Sequence, residues 1–409
     1  MLWQLTERHE EDCCAVRGRQ GKDRPYVYCE STSFQTDPRE SRGDGDYHRQ
    51  DSKLNRPEEL PWDVVDRCLL PVLTAHAVAV ILAFVLNTLR ISQVSSWTLF
   101  FWFTSITLAT LWFYHNLHVT AAGKAVLVTG ADNRLGQIIV RQLDELGFTV
   151  FAGMRSPSCP EAGRLKEQCS GRLHVVQLDV TSEKDILAAR DYVVGNLPQG
   201  SEGLWAVVNN EQWAAFGEVE WVPLPVFREA TEVNLLGTIR VSQVFLPLVR
   251  KVKGRVVNVV SILGHMTAPL QAPYCTAKYA VEAFSDCLRA EMRRWGVDVV
   301  VVEPGDYTTG KLWYDDSKML QQAKDMWEAM PDEARQDYGE HYFEYTVRRT
   351  LEPYTKGTDT DMAPVTRSLQ DAVCRTFPLQ RYTAVTRAEK IRALVLNHLP
   401  RSVHDVLYP

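Results

Sequence analysis

Tyr274 and Lys278 stand four residues apart in PYCTAKYAVEAF. On a helix that spacing brings both side chains to one face. A lysine ammonium beside a phenol favours the phenolate and lowers the tyrosine pKa from about 10 toward neutrality. The pair then suits general acid/base work, moving a proton on or off an alcohol oxygen. Ser261, 13 residues before Tyr274, ends the apolar run RVVNVVS, where its hydroxyl can hydrogen-bond a carbonyl; Asn234 lies 27 residues further back, in NLLG. Tyr and Lys at this spacing arise often by chance, so the pair carries weight only together with Ser261, Asn234 and the frame that holds them.

A second constellation lies upstream. The segment TGADNRLG (129–136) follows the apolar run KAVLVTG and leads into a helical pattern. A Gly-rich turn between strand and helix lets backbone N–H groups bind a pyrophosphate. Gly130 and Gly136 are in place, but Arg134 stands at the intermediate position, so the pattern alone fits an ordinary tight turn equally well. Nineteen residues after Gly136, where an acid would hold a ribose 2′-hydroxyl, the chain has Arg155 and no acid until Glu161. Arg155 leans toward a 2′-phosphate, and so toward NADP over NAD; its other reading is a solvated strand-end charge.

These groups need a scaffold. Short β-branched runs at 124–130, 148–155, 173–180, 204–210, 255–261 and 297–305 alternate with amphipathic stretches such as LGQIIVRQLDELG (135–147). Near-continuous Val/Ile runs between helices predict an α/β domain over 119–409, a Rossmann-type doubly wound parallel sheet covered on both faces.

The rest of the chain has different physics. Residues 1–64 carry 14 acidic and 10 basic side chains and few aliphatic ones, which predicts a disordered polar tail. The early acids Glu7, Glu10, Glu11 and Asp12 argue against a mitochondrial presequence. Cys68–Leu86 and Trp97–Leu117 are free of Asp, Glu, Lys and Arg over 19 and 21 residues, enough for two transmembrane helices within 65–118, joined by a loop with one charge, Arg90. Arg49, Lys53, Arg56 and Arg67 before the pair, and Lys124 and Arg134 after it, put both flanks on the cytoplasmic side. Two buried core helices are the other reading. The net charge of −6, without basic blocks, excludes nucleic acid as an expected partner, and the nine scattered cysteines imply no disulfide framework and no metal site.

Asn234, Ser261, Tyr274 and Lys278 on this frame, with TG…G, LDV at 178–180, Asn209–Asn210 and Pro304–Gly305 in order, resemble the tetrad and motifs of the classical short-chain dehydrogenase/reductase family. The resemblance covers essentially everything after residue 122. It is strongest to the membrane-associated branch of 3-hydroxybutyrate dehydrogenase, 17β-hydroxysteroid dehydrogenase type 2 and the retinol dehydrogenases, through FLPLVRKVKGRVVNVVS, APYCTAKYAVEAFSDCLRAEM and MPDEARQDYGEHYF. It implies that Tyr274 exchanges a proton with the substrate oxygen, Lys278 lowers its pKa and bonds the nicotinamide ribose, Ser261 orients the substrate, and Asn234 holds a helix bend and a relay water. It also implies that Gly130, Arg134, Leu135 and Gly136 form the phosphate turn, Asp179 and Val180 border the adenine, Asn209 lies beside the adenosine ribose, and Pro304, Gly305 and Thr309 flank the carboxamide of NAD or NADP. A homodimer through the Tyr274 helix is implied in the same way.

Two positions depart from the family pattern. Arg134 replaces a glycine, and Asn-Asn-Ala-Gly is here Asn209-Asn210-Glu211-Gln212. Both fall on the cofactor side, and they leave open a membrane-anchored dehydrogenase-like binding protein that does not turn over. Residues 307–364, where this fold builds its substrate lid, are rich in aromatics and Met, among them Tyr307, Trp313, Met319, Met326, Trp327 and Phe343. An apolar lid beside a membrane favours a lipophilic alcohol or ketone, of steroid or retinoid type, at the endoplasmic reticulum membrane, ahead of a mitochondrial one. The competing substrate is 3-hydroxybutyrate, whose carboxylate would need Lys311, Lys318 or Arg348 as anchor.

Overall fold

The computed structural model describes residues 61–305, 316–355 and 362–398. The expected polar tail up to residue 60 and part of the expected lid, including Tyr307, Thr309, Lys311, Trp313 and Tyr314, lie outside the described residues.

Seven parallel strands run in the order β3-β2-β1-β4-β5-β6-β7. They are β1 (Ala125–Val128), β2 (Thr149–Met154), β3 (Leu173–Gln177), β4 (Ala206–Asn209), β5 (Arg255–Val259), β6 (Asp298–Pro304) and β7 (Arg381–Ala384). The first six fall in the β-branched runs. The seventh, RYTA, is short, and its half-exposed Arg381 and Thr383 alternate with buried Tyr382 and Ala384. Strand order reverses between β1 and β4, which opens a crevice at the carboxyl ends of the strands.

Strand residues alternate between two cores. Val126 and Val128 face α3 (Arg134–Glu145), α4 (Pro160–Gln168) and α12 (Ala363–Cys374). Ala125 and Leu127 face α5 (Glu183–Gly195), α7 (Thr238–Lys251) and α8 (Ala272–Met292). Helix α3 buries Leu135, Ile139 and Leu143 at helical spacing, each worth about 1.5–3 kcal/mol. Between α6 (Leu224–Thr231) and α7 the backbone opens into a π-helical turn over Glu232–Gly237. The described part of the lid is α9 (Asp316–Ala329), α10 (Asp332–Tyr338) and α11 (Glu340–Thr355). It packs Ala323, Met330, Ala334 and Phe343 against Trp221. The last helix, α13 (Arg387–His398), follows β7.

Two apolar helices precede the sheet, α1 (Pro61–Thr88) and α2 (Ser96–His115). Each is long and apolar enough to cross a bilayer, over Cys68–Thr88 and Ser96–His115. Among the described side chains of α1, Ala75, Ala79 and Ala83 are the buried ones, and their four-residue spacing lets the two backbones approach along one seam. Phe84, Phe101 and Trp102 point outward. The exit of α2 is joined to the segment after α12: Val119 N donates to Cys374 O at 2.7 Å, Thr376 N donates to Leu117 O at 2.9 Å, and Tyr114 meets Phe377 edge-on at 5.2 Å.

Candidate active site

The turn after β1 is built for close approach. Gly130 has φ +60°, in the left-handed region, and a side chain there would meet Asn210 O at 3.0 Å. A Cβ on Gly136 would lie 2.2 Å from Gly130 O, so α3 starts flush on the turn. Asn133 caps α3 by accepting from Gly136 N at 2.7 Å. Asn210 braces the turn from β4: its amide nitrogen donates to Thr129 O at 3.3 Å and Gly130 O at 3.2 Å. Leu135 and Gly136 are buried, whereas Arg134 is exposed at the first position of α3, so its bulk does not fill the turn.

The adenosine side is more guarded than the sequence suggests. Arg155, at the end of β2, pairs with Asp132 across the turn at 3.5 Å. Asp179 accepts from both Thr181 N and its hydroxyl, at 2.8 and 2.7 Å. Val180 is buried. Asn209 turns its amide into the core, donating to Asn258 Oδ1 at 2.8 Å and Ser242 Oγ at 3.1 Å, so its side chain links strands and helix. Glu211 follows, with Oε1 enclosed and without a hydrogen-bond partner. Burial, then Asp132 and Asp179, push its carboxyl up to about 8; Arg155 and the Gly130 backbone N–H oppose this.

Asn234, Tyr274 and Lys278 meet around this post-β4 loop. Asn234, fully buried in the π-helical turn, clamps Trp213: Trp213 N donates to Asn234 Oδ1 at 2.9 Å and Asn234 Nδ2 donates to Trp213 O at 2.7 Å. Tyr274 OH donates to Gln212 Oε1 at 3.1 Å. Lys278, one turn on in α8, is buried, lies 5.5 Å from the Tyr274 ring centroid and donates to Val259 O at 3.2 Å. Burial lowers its pKa to about 7, against the pull of Glu211 and Glu282. Ser261, just past β5, is nearly buried and accepts from Leu263 N at 3.2 Å.

Pro304 ends β6, and Gly305 N donates to Ala384 O at 2.8 Å. A side chain on Gly305 would meet the Glu389 carboxylate of α13 at 2.6 Å. Behind this corner His265, Glu282 and Glu303 hold ligand atoms within 4.8 Å of one another, in metal-like grouping. Arg381 already occupies their carboxylates, with Nη2 2.6 Å from Glu282 and Nε 2.5 Å from Glu303.

A small cleft opens beside α9 and α11, lined among the described residues by Phe216, Trp221, Leu270, Met319, Val347 and Leu351 with a few others. Phe216 lies four residues after Gln212, and Leu270 four before Tyr274; Gly217 N donates to Leu270 O at 2.8 Å, which joins the two segments at the cleft. Its described lining residues are all uncharged. Lys318 and Arg348 are exposed and outside it; Lys311 lies outside the described residues.

The sequence reading missed Asn133 and Glu389, and gave Asn210 and Gln212 a place in the motif but no contact. The Asn-x-x-Gly spacing signals a helix cap at Asn133; no local pattern marks Glu389 or the partner of Gln212, which act across the fold.

The crevice fits a nicotinamide dinucleotide. Gly130 and Gly136 leave a turn without side-chain bulk, and α3 opens toward it for a pyrophosphate. Such a cofactor supplies hydride transfer at the substrate carbon. The same side of the sheet carries a phenol, a buried lysine and a serine hydroxyl, groups able to hold or move a proton at an alcohol oxygen.

The short chain dehydrogenase family profile matches residues 124–319. Over 313 residues the chain is 38% identical to the mitochondrial D-beta-hydroxybutyrate dehydrogenase of Rattus norvegicus, covering 76% of this chain and 91% of that protein. It is 36% identical to 17-beta-hydroxysteroid dehydrogenase type 2 of Homo sapiens over 69% of this chain and 72% of that one. A short-chain dehydrogenase structure from Streptomyces avermitilis superposes with TM-score 0.54 at 23% identity, over 70% of this chain and 96% of that one, and speaks for the fold alone. With this fold, this constellation and these relatives, the chain belongs to the short-chain dehydrogenase family and is an alcohol/ketone oxidoreductase using NAD(H) or NADP(H).

Proposed function

We propose that the protein is a membrane-anchored oxidoreductase that interconverts a lipophilic secondary or allylic alcohol, of steroid or retinoid type, with its carbonyl. The observation that carries this reading is the small cleft between the segment after Gln212 and helices α9 and α11, whose described lining residues are all uncharged. Apolar walls with few polar groups suit a substrate that partitions from a bilayer. Two helices long enough to span supply the anchor, and the charge bias favours a domain on the cytoplasmic side, at the endoplasmic reticulum. Tyr274 exchanges the proton, Ser261 orients the oxygen, Lys278 serves the tyrosine and the nicotinamide ribose, and Asn234 fixes the loop beside them.

A second reading, 3-hydroxybutyrate, is favoured by the named activity of the rat relative and its 91% coverage. A small carboxylate needs a cationic anchor, and Lys311 is the remaining candidate. Full-length protein in mild detergent, assayed with estradiol, retinol and 3-hydroxybutyrate against NAD and NADP, separates the two. Turnover of a steroid or retinol is expected; turnover of 3-hydroxybutyrate alone would overturn the lipophilic assignment. Tyr274→Phe should abolish turnover with the circular dichroism unchanged. A folded protein that binds dinucleotide but turns over none of these would favour a non-catalytic binding role.

A further inference from the structure

Glu211 stands where the carboxyl ends of the central strands converge on the cofactor crevice. Asp132 in the turn after β1, Arg155 at the end of β2, Asp179 beyond β3 and Lys278 of α8 all act on its charge, and the Gly130 backbone N–H hydrogen-bonds it. Its Oε1 is enclosed with no hydrogen-bond partner, so the carboxyl is held in the groove without a full complement of donors. The loop that carries it is pinned two residues on by the double hydrogen bond between Asn234 and Trp213, which limits retreat.

We infer that Glu211 couples dinucleotide binding to a proton: the groove admits the anionic phosphates only with this carboxyl in its neutral form. The inference rests on the dinucleotide-binding reading of the site. An ionised Glu211 would join Asp132 and Asp179 against two phosphates, offset only weakly by the exposed Arg155, 3.5 Å from Asp132. Like charges gathered in an enclosed site favour protonation of one of them. Burial acts in the same direction, raising the carboxyl to about 8 in the free protein. At neutral pH the groove is ready to bind; at higher pH binding must first take up a proton, and affinity falls by roughly tenfold per pH unit. Lys278 also loses charge on this side of neutrality, so the variant must separate the two groups.

The test uses the full chain in mild detergent, titrated with NADH and separately NADPH from pH 7 to 9.5, with binding read by nicotinamide fluorescence. The dissociation constant of the wild type should rise about tenfold per unit above roughly pH 8, and Glu211→Gln should flatten that rise. Calorimetry of the wild type at pH 9, in two buffers of different ionisation enthalpy, should show uptake approaching one proton. That measurement needs no variant, and so stands even where Glu211→Gln fails to fold. Wild-type binding without proton uptake would overturn the inference alone, as would an equal pH dependence in Glu211→Gln, which would point to Lys278. Failure of the folded wild type to bind either dinucleotide at any pH would overturn the dinucleotide reading and the inference with it.

Discussion

Tyr274 OH donates to Gln212 Oε1 at 3.1 Å, so the hydroxyl proposed to move the substrate's proton is already engaged by a side chain of its own protein. A substrate oxygen that takes this hydrogen bond must displace Gln212. A hydrogen bond is worth about 1 kcal/mol net, or roughly fivefold in an equilibrium. Gln212→Gly should lower KM about fivefold while kcat changes little, and steady-state kinetics will show the split. An unchanged KM would mean that Gln212 swings away at no cost.

Asn234 should matter to stability as well as chemistry. Its amide satisfies both the N–H and the carbonyl of Trp213 in a buried site. Asn234→Ala leaves both unpaired, at about 1–3 kcal/mol for each group. Urea unfolding should show the loss, and activity should fall with it because Glu211 and Gln212 ride on the same loop.

Lys278 carries a pH signature with a defined sign. Its folded-state pKa is pushed down to about 7 by burial, below the ordinary lysine value of 10.5. The unfolded chain therefore gains a proton first as pH falls. Stability due to the neutral amine is present above the unfolded pKa and is lost progressively as pH falls to the folded one. Lys278→Met removes this dependence. The variant should melt higher than wild type by a margin that grows from pH 10 down to about pH 7 and then levels, while turnover is lost.

Cofactor choice can be read at Arg155. Its ion pair with Asp132 is long, at 3.5 Å, and the arginine side chain is 68% exposed, so releasing it costs little. Arg155→Ala should weaken NADPH about tenfold, roughly 1.4 kcal/mol, and leave NADH unchanged if the guanidinium serves a 2′-phosphate. Equal effects on both in parallel fluorescence titrations would remove that role.

Trp221 offers a handle on the substrate. It lines the cleft, is 2% exposed, and its indole N–H has no hydrogen-bond partner. Trp221→Phe keeps the packing on Phe343 and removes the donor. A substrate with a distal oxygen should lose about fivefold in kcat/KM, the worth of one hydrogen bond, whereas a hydrocarbon-ended alcohol should not.

Six strands were legible from their apolar, β-branched runs, buried on both faces in all but the edge strand β3; β7 was not, since four alternating residues carry too little pattern. The two apolar helices were readable from the absence of charge, but their alanine seam emerges only when they pair. Tyr274 and Lys278 share a helix, so their spacing was informative. The Asn234 clamp on Trp213 spans 21 residues, and the Asn210 brace on Gly130 spans 80. Such contacts are set by the strand order, not by any local window. At Asn209 the motif gave a place but no side-chain contact: the packing of β4 on β5 turns its amide toward Asn258.

The exit of α2 does not simply hand the chain on to β1. Arg255, fully buried beside Trp205, donates to the carbonyls of Ala372, Val373 and Arg375 at 2.8, 3.1 and 2.9 Å, and that same corner holds Leu117 and Val119. The seam between the two apolar helices and the sheet domain is thus held by backbone pairs from both sides. A soluble fragment cut at residue 119 would leave the Cys374 and Thr376 backbone groups half unmet at the cut. A cut ahead of Asn116 keeps them covered, and is the place to divide the molecule.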